Sequence, residues 1–194
     1  MNTKRLTLII IFVALTAALN VAGPKIPAPY APFLIYQIWE IPIVVAFLAM
    51  GPKVGVAITV INSLILFAVF QGSLPSGPFY NLIAVLAMLL GIYLPYKIAT
   101  RSCPTEKLDS FLRRHFNLIT ISATALGIIL RVVITTPINY IALQSPYPFG
   151  FGLNASGAVA LLPLIAVFNS TVALYTVPIA FIVTIALISR FKFQ

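Results

Sequence analysis

The chain has 194 residues, of which 61% are hydrophobic and 8% are charged, and its mean hydropathy is +1.08. Soluble domains carry about 25% charged residues, so this composition excludes a soluble globular protein and predicts a single integral membrane domain over residues 1–194. The net charge of +9 would suggest nucleic-acid binding only if the basic residues formed one patch, but they lie between apolar segments and indicate membrane topology instead.

Six apolar segments follow one another along the chain. They are Leu6–Ala22, Ile35–Met50, Val54–Phe70, Phe79–Tyr96, Leu118–Leu143 and Val159–Ile188. Four prolines between Gly23 and Phe33 exclude a helix there, because proline lacks an N–H donor and clashes with the preceding turn. A helix crosses hydrocarbon with roughly 17–25 apolar residues, so the pattern predicts an all-α, compact bundle of six transmembrane helices. An alternative for the last segment is a short helix followed by a longer one that begins at Pro163.

Lysine and arginine are distributed unequally between the two sides of this bundle. If the N-terminus is cytoplasmic, ten of them fall on the cytoplasmic side, only Lys25 falls in an external loop, and Arg131 lies inside a helix. Cytoplasmic loops are enriched in these residues, so we expect both termini in the cytoplasm and the protein in the cell membrane. A cleaved signal peptide is the alternative for residues 1–22, but Asn20 stands where a cut after Ala22 needs a small residue.

Polar residues from four different segments fall in the external half of the predicted bilayer. They are Glu40, Asn81, Asn139 and Asn169. Polar side chains at that depth must find partners in the bundle or line a cavity, so their convergence predicts a polar, outward-facing ligand pocket. Two alternatives are that Glu40 snorkels toward water beside Trp39, and that each asparagine only joins helices, as we expect of Asn62.

Arg131 lies midway along the fifth segment, where a charge costs at least ~2.5 kcal/mol on insertion scales. Thr135 and Asn139 follow at four-residue steps and therefore share its helical face. Two interpretations are open. Arg131 contacts a polar or anionic ligand at the bottom of the pocket, or it forms a structural pair with Glu40 or with helix carbonyls.

The chain carries few residues that could perform catalysis. It has no phosphate-binding glycine loop, no H-E-x-x-H motif and no Ser/His/Asp set, and its single Cys103 and His115 form no metal motif. We therefore expect a protein that is not an enzyme and has no catalytic residues, metal site or resident cofactor. Binding or transport is favoured by elimination.

The first segment contains a stripe of small residues. Ala14 and Ala18 in the stretch ALTAA are four residues apart, and such a stripe lets another helix approach closely. The stripe serves either internal packing or contact with a partner protein.

The order and spacing of several stretches resemble the substrate-binding S components of energy-coupling factor (ECF) vitamin transporters, most closely the riboflavin-specific branch. The similar stretches are ALTAA, WEIPIVVAFLAMGPKVGVAI, GPFYNLIAVLAMLLGIYLPYK, RVVITTPINYIAL and LPLIAVFNS. This resemblance covers nearly the whole chain. It implies a six-helix bundle that captures riboflavin, as a transported ligand, from outside the cell, with the first external loop as a lid.

The resemblance also assigns roles to particular residues. Asn139 and Asn169 would hydrogen-bond the vitamin, Glu40 would lie at the edge of the pocket, and the Ala14 and Ala18 stripe would dock the transmembrane coupling subunit of a module with ATPase subunits. Val172 departs from the riboflavin branch, which often has a lysine there, so another vitamin such as pantothenate or thiamine is an alternative. A structural or assembly membrane protein, a channel and a secondary carrier remain further alternatives.

Overall fold

The computed structural model describes residues 3–69, 74–101, 110, 111 and 114–190. These residues form six helices and one β-hairpin, namely α1 (Thr3–Ala22), β1 (Ile26–Ala28), β2 (Ala31–Tyr36), α2 (Glu40–Met50), α3 (Pro52–Val69), α4 (Gly77–Thr100), α5 (Phe116–Gln144) and α6 (Ala155–Arg190). Cys103, most of the basic stretch after α4, residues 71–73 and Lys192 lie outside the described residues. The expectations that concern them are therefore untested.

Four helices, α3 to α6, are long and apolar enough to cross a membrane. The remaining apolar helices, Leu6–Ala22 and Glu40–Met50, are shorter. The predicted helical fold is therefore confirmed, but only four of the six helices in the described residues, and not all six, have the length and composition to cross a membrane. The cytoplasmic placement of both termini stays a prediction.

The second helix begins later than the sequence pattern predicted. The expected segment started at Ile35, but Ile35 and Tyr36 belong to β2, and α2 begins at Glu40. Ile26 and Pro27 pair with Tyr36 and Ile35 in an antiparallel hairpin, which an all-α expectation did not include. The prolines exclude a helix, as predicted, but they are compatible with short edge strands, and the β-branched and aromatic residues of β2 favour extended backbone.

The last helix is continuous from Ala155 to Arg190, so the alternative of a break at Pro163 is wrong. Pro163 is exposed, and so is Val159 on the preceding turn, at 55% of its surface. The hydrogen bond that proline removes therefore lies on the outward face of α6. Transmembrane helices tolerate proline in their interior, and here the packed face of the helix is not interrupted.

The core of the bundle surrounds α2. Nine of the eleven residues of α2 are buried, and among them Ile43, Val44 and Ala46 are fully covered. A helix that is apolar on every side belongs at the centre of a fold, and α2 contacts α1, α3, α4 and α6 there. The helices α4 and α5 approach closely at Gly91, where a Cβ atom would lie 2.4 Å from the Leu126 carbonyl oxygen.

Candidate ligand-binding cavity

A cavity of about 990 Å³ lies between the β-hairpin and the helix ends nearest to it. All five residues that were predicted from the sequence as ligand contacts line this cavity: Glu40, Asn81, Arg131, Asn139 and Asn169. They come from α2, α4, α5 and α6, so the fold brings together side chains that are far apart in the chain. Their contact with a ligand stays a prediction.

Glu40 and Arg131 form a bidentate ion pair in the cavity wall. Arg131 Nη1 donates to Glu40 Oε2 at 2.5 Å, and Nη2 donates to Oε1 at 3.0 Å. The two side chains are only 5% and 1% exposed. The planar guanidinium matches a carboxylate through two parallel hydrogen bonds, which makes this one of the stronger pairings available to a buried charge. The alternative that Glu40 snorkels beside Trp39 is therefore wrong, and the pairing of Arg131 with Glu40 is observed.

Asn169 extends the ion pair toward α6. Arg131 Nε donates to Asn169 Oδ1 at 2.9 Å, and Asn169 Nδ2 donates to the Ile165 carbonyl at 3.1 Å. Arg131 Nη1 also contacts the Met88 sulfur at 3.6 Å. We call Glu40, Arg131 and Asn169 the polar floor of the cavity.

The periodicity of α5 explains why Arg131 reaches this position. Arg131, Thr135 and Asn139 are separated by four residues, lie on one face of the helix and all line the cavity. Arg131 and Thr135 are buried, whereas Asn139 nearer the end of α5 is half-buried. The side-chain amides of Asn139 and Asn81 have no hydrogen-bond partner within the described part of the chain, so they are available to a ligand.

The hairpin covers the cavity through aromatic contacts. The Tyr36 ring packs on Phe168 of α6, with ring centroids 4.8 Å apart, and the Tyr30 and Tyr36 hydroxyls lie 2.5 Å apart. Partial burial and the hydrogen bond to Tyr36 raise the pKa of Tyr30 to about 12, so this hydroxyl stays protonated at neutral pH. The hairpin is thus attached to α6 immediately beside Asn169.

The loop between α5 and α6 completes the cover. Phe151 of this loop lies against Phe33 of the hairpin, with ring centroids 6.2 Å apart, and both rings line the cavity. The Tyr80 hydroxyl donates to the Phe149 carbonyl at 2.6 Å and ties the loop to α4. Two connecting segments therefore meet above the polar floor.

The comparisons with known proteins concern the fold. No protein-family model and no curated protein matches the chain. A solved structure described as "Structure and mechanism of the S component of a bacterial ECF transporter" is similar, with 22% identity, a TM-score of 0.73 and complete coverage of both chains. The chain has the fold of an S component. At this identity the likeness extends to the fold, and the choice of ligand rests on other arguments.

Several cavity residues of this S-component fold were not singled out from the sequence. The Tyr175 hydroxyl donates to the Gln37 carbonyl at 2.5 Å and joins α6 to the segment before α2. Lys25, which immediately precedes β1, also lines the cavity, as does Asn20 at the end of α1. The only sequence signal for Lys25 was its isolation among the external loops, and Tyr175 lay in an apolar helix without a recognisable motif.

Asn62 does not behave as predicted. It is fully buried in α3, but neither its Oδ1 nor its Nδ2 has a hydrogen-bond partner among the described residues, so the expected helix-joining bond is absent. Neighbouring hydroxyls are used within α3 itself, since Thr59 donates to the Gly55 carbonyl and Ser63 to the Thr59 carbonyl. These hydroxyls therefore use backbone acceptors one turn away and not the Asn62 amide on the same buried face of α3.

The stripe of Ala14 and Ala18 lies on the outward face of α1. Both alanines are exposed, together with Ile10, Ile11 and Leu15, whereas Thr16 and Asn20 point into the bundle. This placement argues against internal packing as the purpose of the stripe. A partner protein at this face stays a prediction.

Proposed function

We propose that this chain is the substrate-binding S component of an ECF-type vitamin transporter and that it captures riboflavin, or a related flavin, from outside the cell. The observation that carries the proposal is a covered cavity of about 990 Å³ with a polar floor, inside a fold similar to that of an S component. Sites for small molecules are concave, about 300–1,000 Å³ in volume and mostly apolar, with a few polar groups that fix orientation.

The chemistry of the cavity supports a flavin. An isoalloxazine ring has a large apolar face, and burying it yields about 25 cal/mol for each Å² removed from water. Phe33, Phe151 and Phe168 supply apolar walls for such a face. The polar edge of the ring carries both acceptors and a donor, and an amide side chain matches both, so Asn139 and Asn169 are the proposed contacts.

The charge distribution supports the direction of transport. Ten lysine and arginine residues on one side against Lys25 on the other favour cytoplasmic termini, so the hairpin and the cavity would face the outside. The exposed stripe of Ala14 and Ala18 would then contact a transmembrane coupling subunit, whose ATPase subunits supply the energy. The chain itself performs no catalysis on this proposal.

An S component for another vitamin, such as pantothenate or thiamine, is the second candidate. Val172 favours it, because this buried residue lines the cavity at the position where the riboflavin branch often has a lysine. A structural or assembly role is less favoured, because amides such as Asn139, which has no partner in the described part of the chain, line a cavity.

Quenching of riboflavin fluorescence by the detergent-purified full chain tests the proposal. We expect saturable quenching at or below micromolar protein. Asn139→Leu should weaken binding about ten-fold, because one edge group of the ligand would be buried without a partner at a cost of ~1–3 kcal/mol. Asn117→Leu is the matched control, since Asn117 is exposed at the other end of the bundle. No quenching by the unmutated protein would contradict the flavin assignment.

A further inference from the structure

The Arg131 guanidinium makes so many contacts within the protein that few of its N–H donors are left for a ligand. Nε donates to Asn169, Nη1 to Glu40 and the Met88 sulfur, and Nη2 to Glu40. A guanidinium has five N–H donors, so four have a partner among the described residues. At 1% exposure, Arg131 cannot turn toward another group without breaking this arrangement.

The ion pair also removes the net charge of the polar floor. Glu40 and Arg131 are both buried, and their opposite charges lie within hydrogen-bonding distance. Lys25, which also lines the cavity, is exposed immediately before β1, where water and salt screen its charge. A buried anion on a ligand would therefore meet no uncompensated positive charge at the floor, although it would lose its own hydration.

The orientation of the Asn169 amide follows from its two partners. Arg131 Nε can only donate, so the atom facing it must be Oδ1, and the Ile165 carbonyl can only accept, so the atom facing it must be Nδ2. One of the two Nδ2 hydrogens remains without a partner among the described residues. Asn169 therefore presents an N–H donor to the cavity, while its oxygen is occupied.

We propose that Arg131 is a positioning residue that fixes the Asn169 amide as a donor, and that its pairing with Glu40 restricts the cavity to uncharged ligands with an acceptor atom at this depth. This inference rests on the proposed transport function and specifies its substrate class. A carbonyl oxygen or an aromatic ring nitrogen is the kind of atom that the Asn169 N–H would bind. The interpretation of Arg131 as a direct contact for an anionic ligand is then excluded.

The charge part of the inference is tested with two pairs of probes that differ in charge: riboflavin against flavin mononucleotide, and pantothenol against pantothenate. We expect the unmutated full chain to prefer the uncharged member of the pair that binds. In Glu40→Gln the Arg131 charge is uncompensated, so the affinity ratio of anionic to uncharged probe should rise about ten-fold. Lys25→Gln is the control, because loss of a screened charge should change this ratio less.

The positioning part is tested with Glu40→Met/Arg131→Met. This double variant removes both charges and the hydrogen bond to Asn169, and apolar residues of similar size often replace a buried ion pair without loss of stability. The affinity ratio should stay within about three-fold of the unmutated value, whereas affinity for the uncharged probe should fall about ten-fold, because the Asn169 amide is then held only by its hydrogen bond to the Ile165 carbonyl. A role of the pair in folding alone would leave the affinity of the folded protein unchanged.

The possible outcomes separate the two proposals. Binding of pantothenol in preference to pantothenate, with no binding of riboflavin, would reject the flavin assignment and support the present inference. Riboflavin binding with an affinity ratio of anionic to uncharged probe that Glu40→Gln leaves unchanged would support the flavin assignment and reject the charge argument.

The double variant gives a second test. If Glu40→Gln does not fold, a ten-fold change of the affinity ratio in the double variant would overturn the charge argument. Unchanged affinity of the double variant for the uncharged probe would overturn the positioning role, and failure of all four probes to bind would contradict both proposals.

Discussion

The polar floor of the cavity and the outward face of α1 differ in almost every property. In the floor, Glu40 and Arg131 are charged, almost completely buried and hydrogen-bonded to each other. On α1, Ile10 is 58% exposed, and the small side chains of Ala14 and Ala18 lie beside it. The first surface suits a small polar molecule, and the second suits the close approach of another helix. On the proposed function, ligand binding and coupling to a partner would use separate parts of the molecule, so substitutions should affect one without the other.

The largest effect is expected at the outward face of α1. Ala14→Trp/Ala18→Trp places two large rings where a partner helix would approach, so uptake of labelled riboflavin by cells should be lost while binding by the purified protein is retained. The matched control is Leu90→Trp/Leu94→Trp. These leucines are also four residues apart and exposed, at 48% and 43%, on α4. If both double variants transport normally, the α1 face has no partner, and the contrast between the two surfaces fails.

An intermediate effect is expected at Asn169, which lines the cavity and can be compared with Asn62, a buried amide that does not line it. Asn169→Leu removes the donor proposed for the ligand and leaves Arg131 Nε unpaired, so riboflavin affinity should fall about ten-fold or more. Asn62→Leu replaces an amide that has no partner among the described residues, so affinity should be unchanged. Fluorescence titration of both variants measures the difference.

The same two amides should differ in thermal unfolding. Removing an unpaired buried polar group is expected to be neutral or stabilising in Asn62→Leu, whereas Asn169→Leu should destabilise by ~1–3 kcal/mol because it leaves a buried donor without an acceptor. A fall in affinity for Asn62→Leu as large as that for Asn169→Leu would show that burial of an amide alone, and not its place in the cavity, determines the effect.

The sequence predicted the helical fold and the residues of the cavity better than their contacts. The depth of each residue in the membrane was inferred from the distribution of basic residues. This depth was enough to group Asn81, Asn139 and Asn169, because it depends only on where a residue lies along its helix. Contacts depend on helix rotation and packing, which composition does not specify. The sequence therefore left the pairing of Arg131 with Glu40 undecided and assigned Asn62 a hydrogen bond that is absent among the described residues.

The hairpin illustrates a second limit of sequence reasoning. The prolines between Gly23 and Phe33 correctly excluded a helix, but the register of β1 and β2 depends on backbone pairing across the turn. The apolar run of Ile35 and Tyr36 was assigned to α2, because a short apolar stretch fits either a strand or a helix. The aromatic contacts of Tyr36 follow from this register and could not be predicted without it.

The smallest effect is expected in the hairpin. Tyr30→Phe removes the hydroxyl that lies 2.5 Å from the Tyr36 hydroxyl but keeps the ring, and Tyr36 keeps its packing on Phe168. One hydrogen bond contributes about 0.5–1.5 kcal/mol, so stopped-flow fluorescence should record riboflavin release that is a few-fold faster. Because the pKa of Tyr30 is raised to about 12, its hydroxyl stays protonated between about pH 6 and 9, and the difference between variant and unmutated protein should not change over that range. Tyr147→Phe is the control, since Tyr147 is 72% exposed in the neighbouring loop. Equal release rates for Tyr30→Phe and the unmutated protein would mean that the hairpin does not limit exit from the cavity, and the lid would then have to be sought in the loop that carries Phe151.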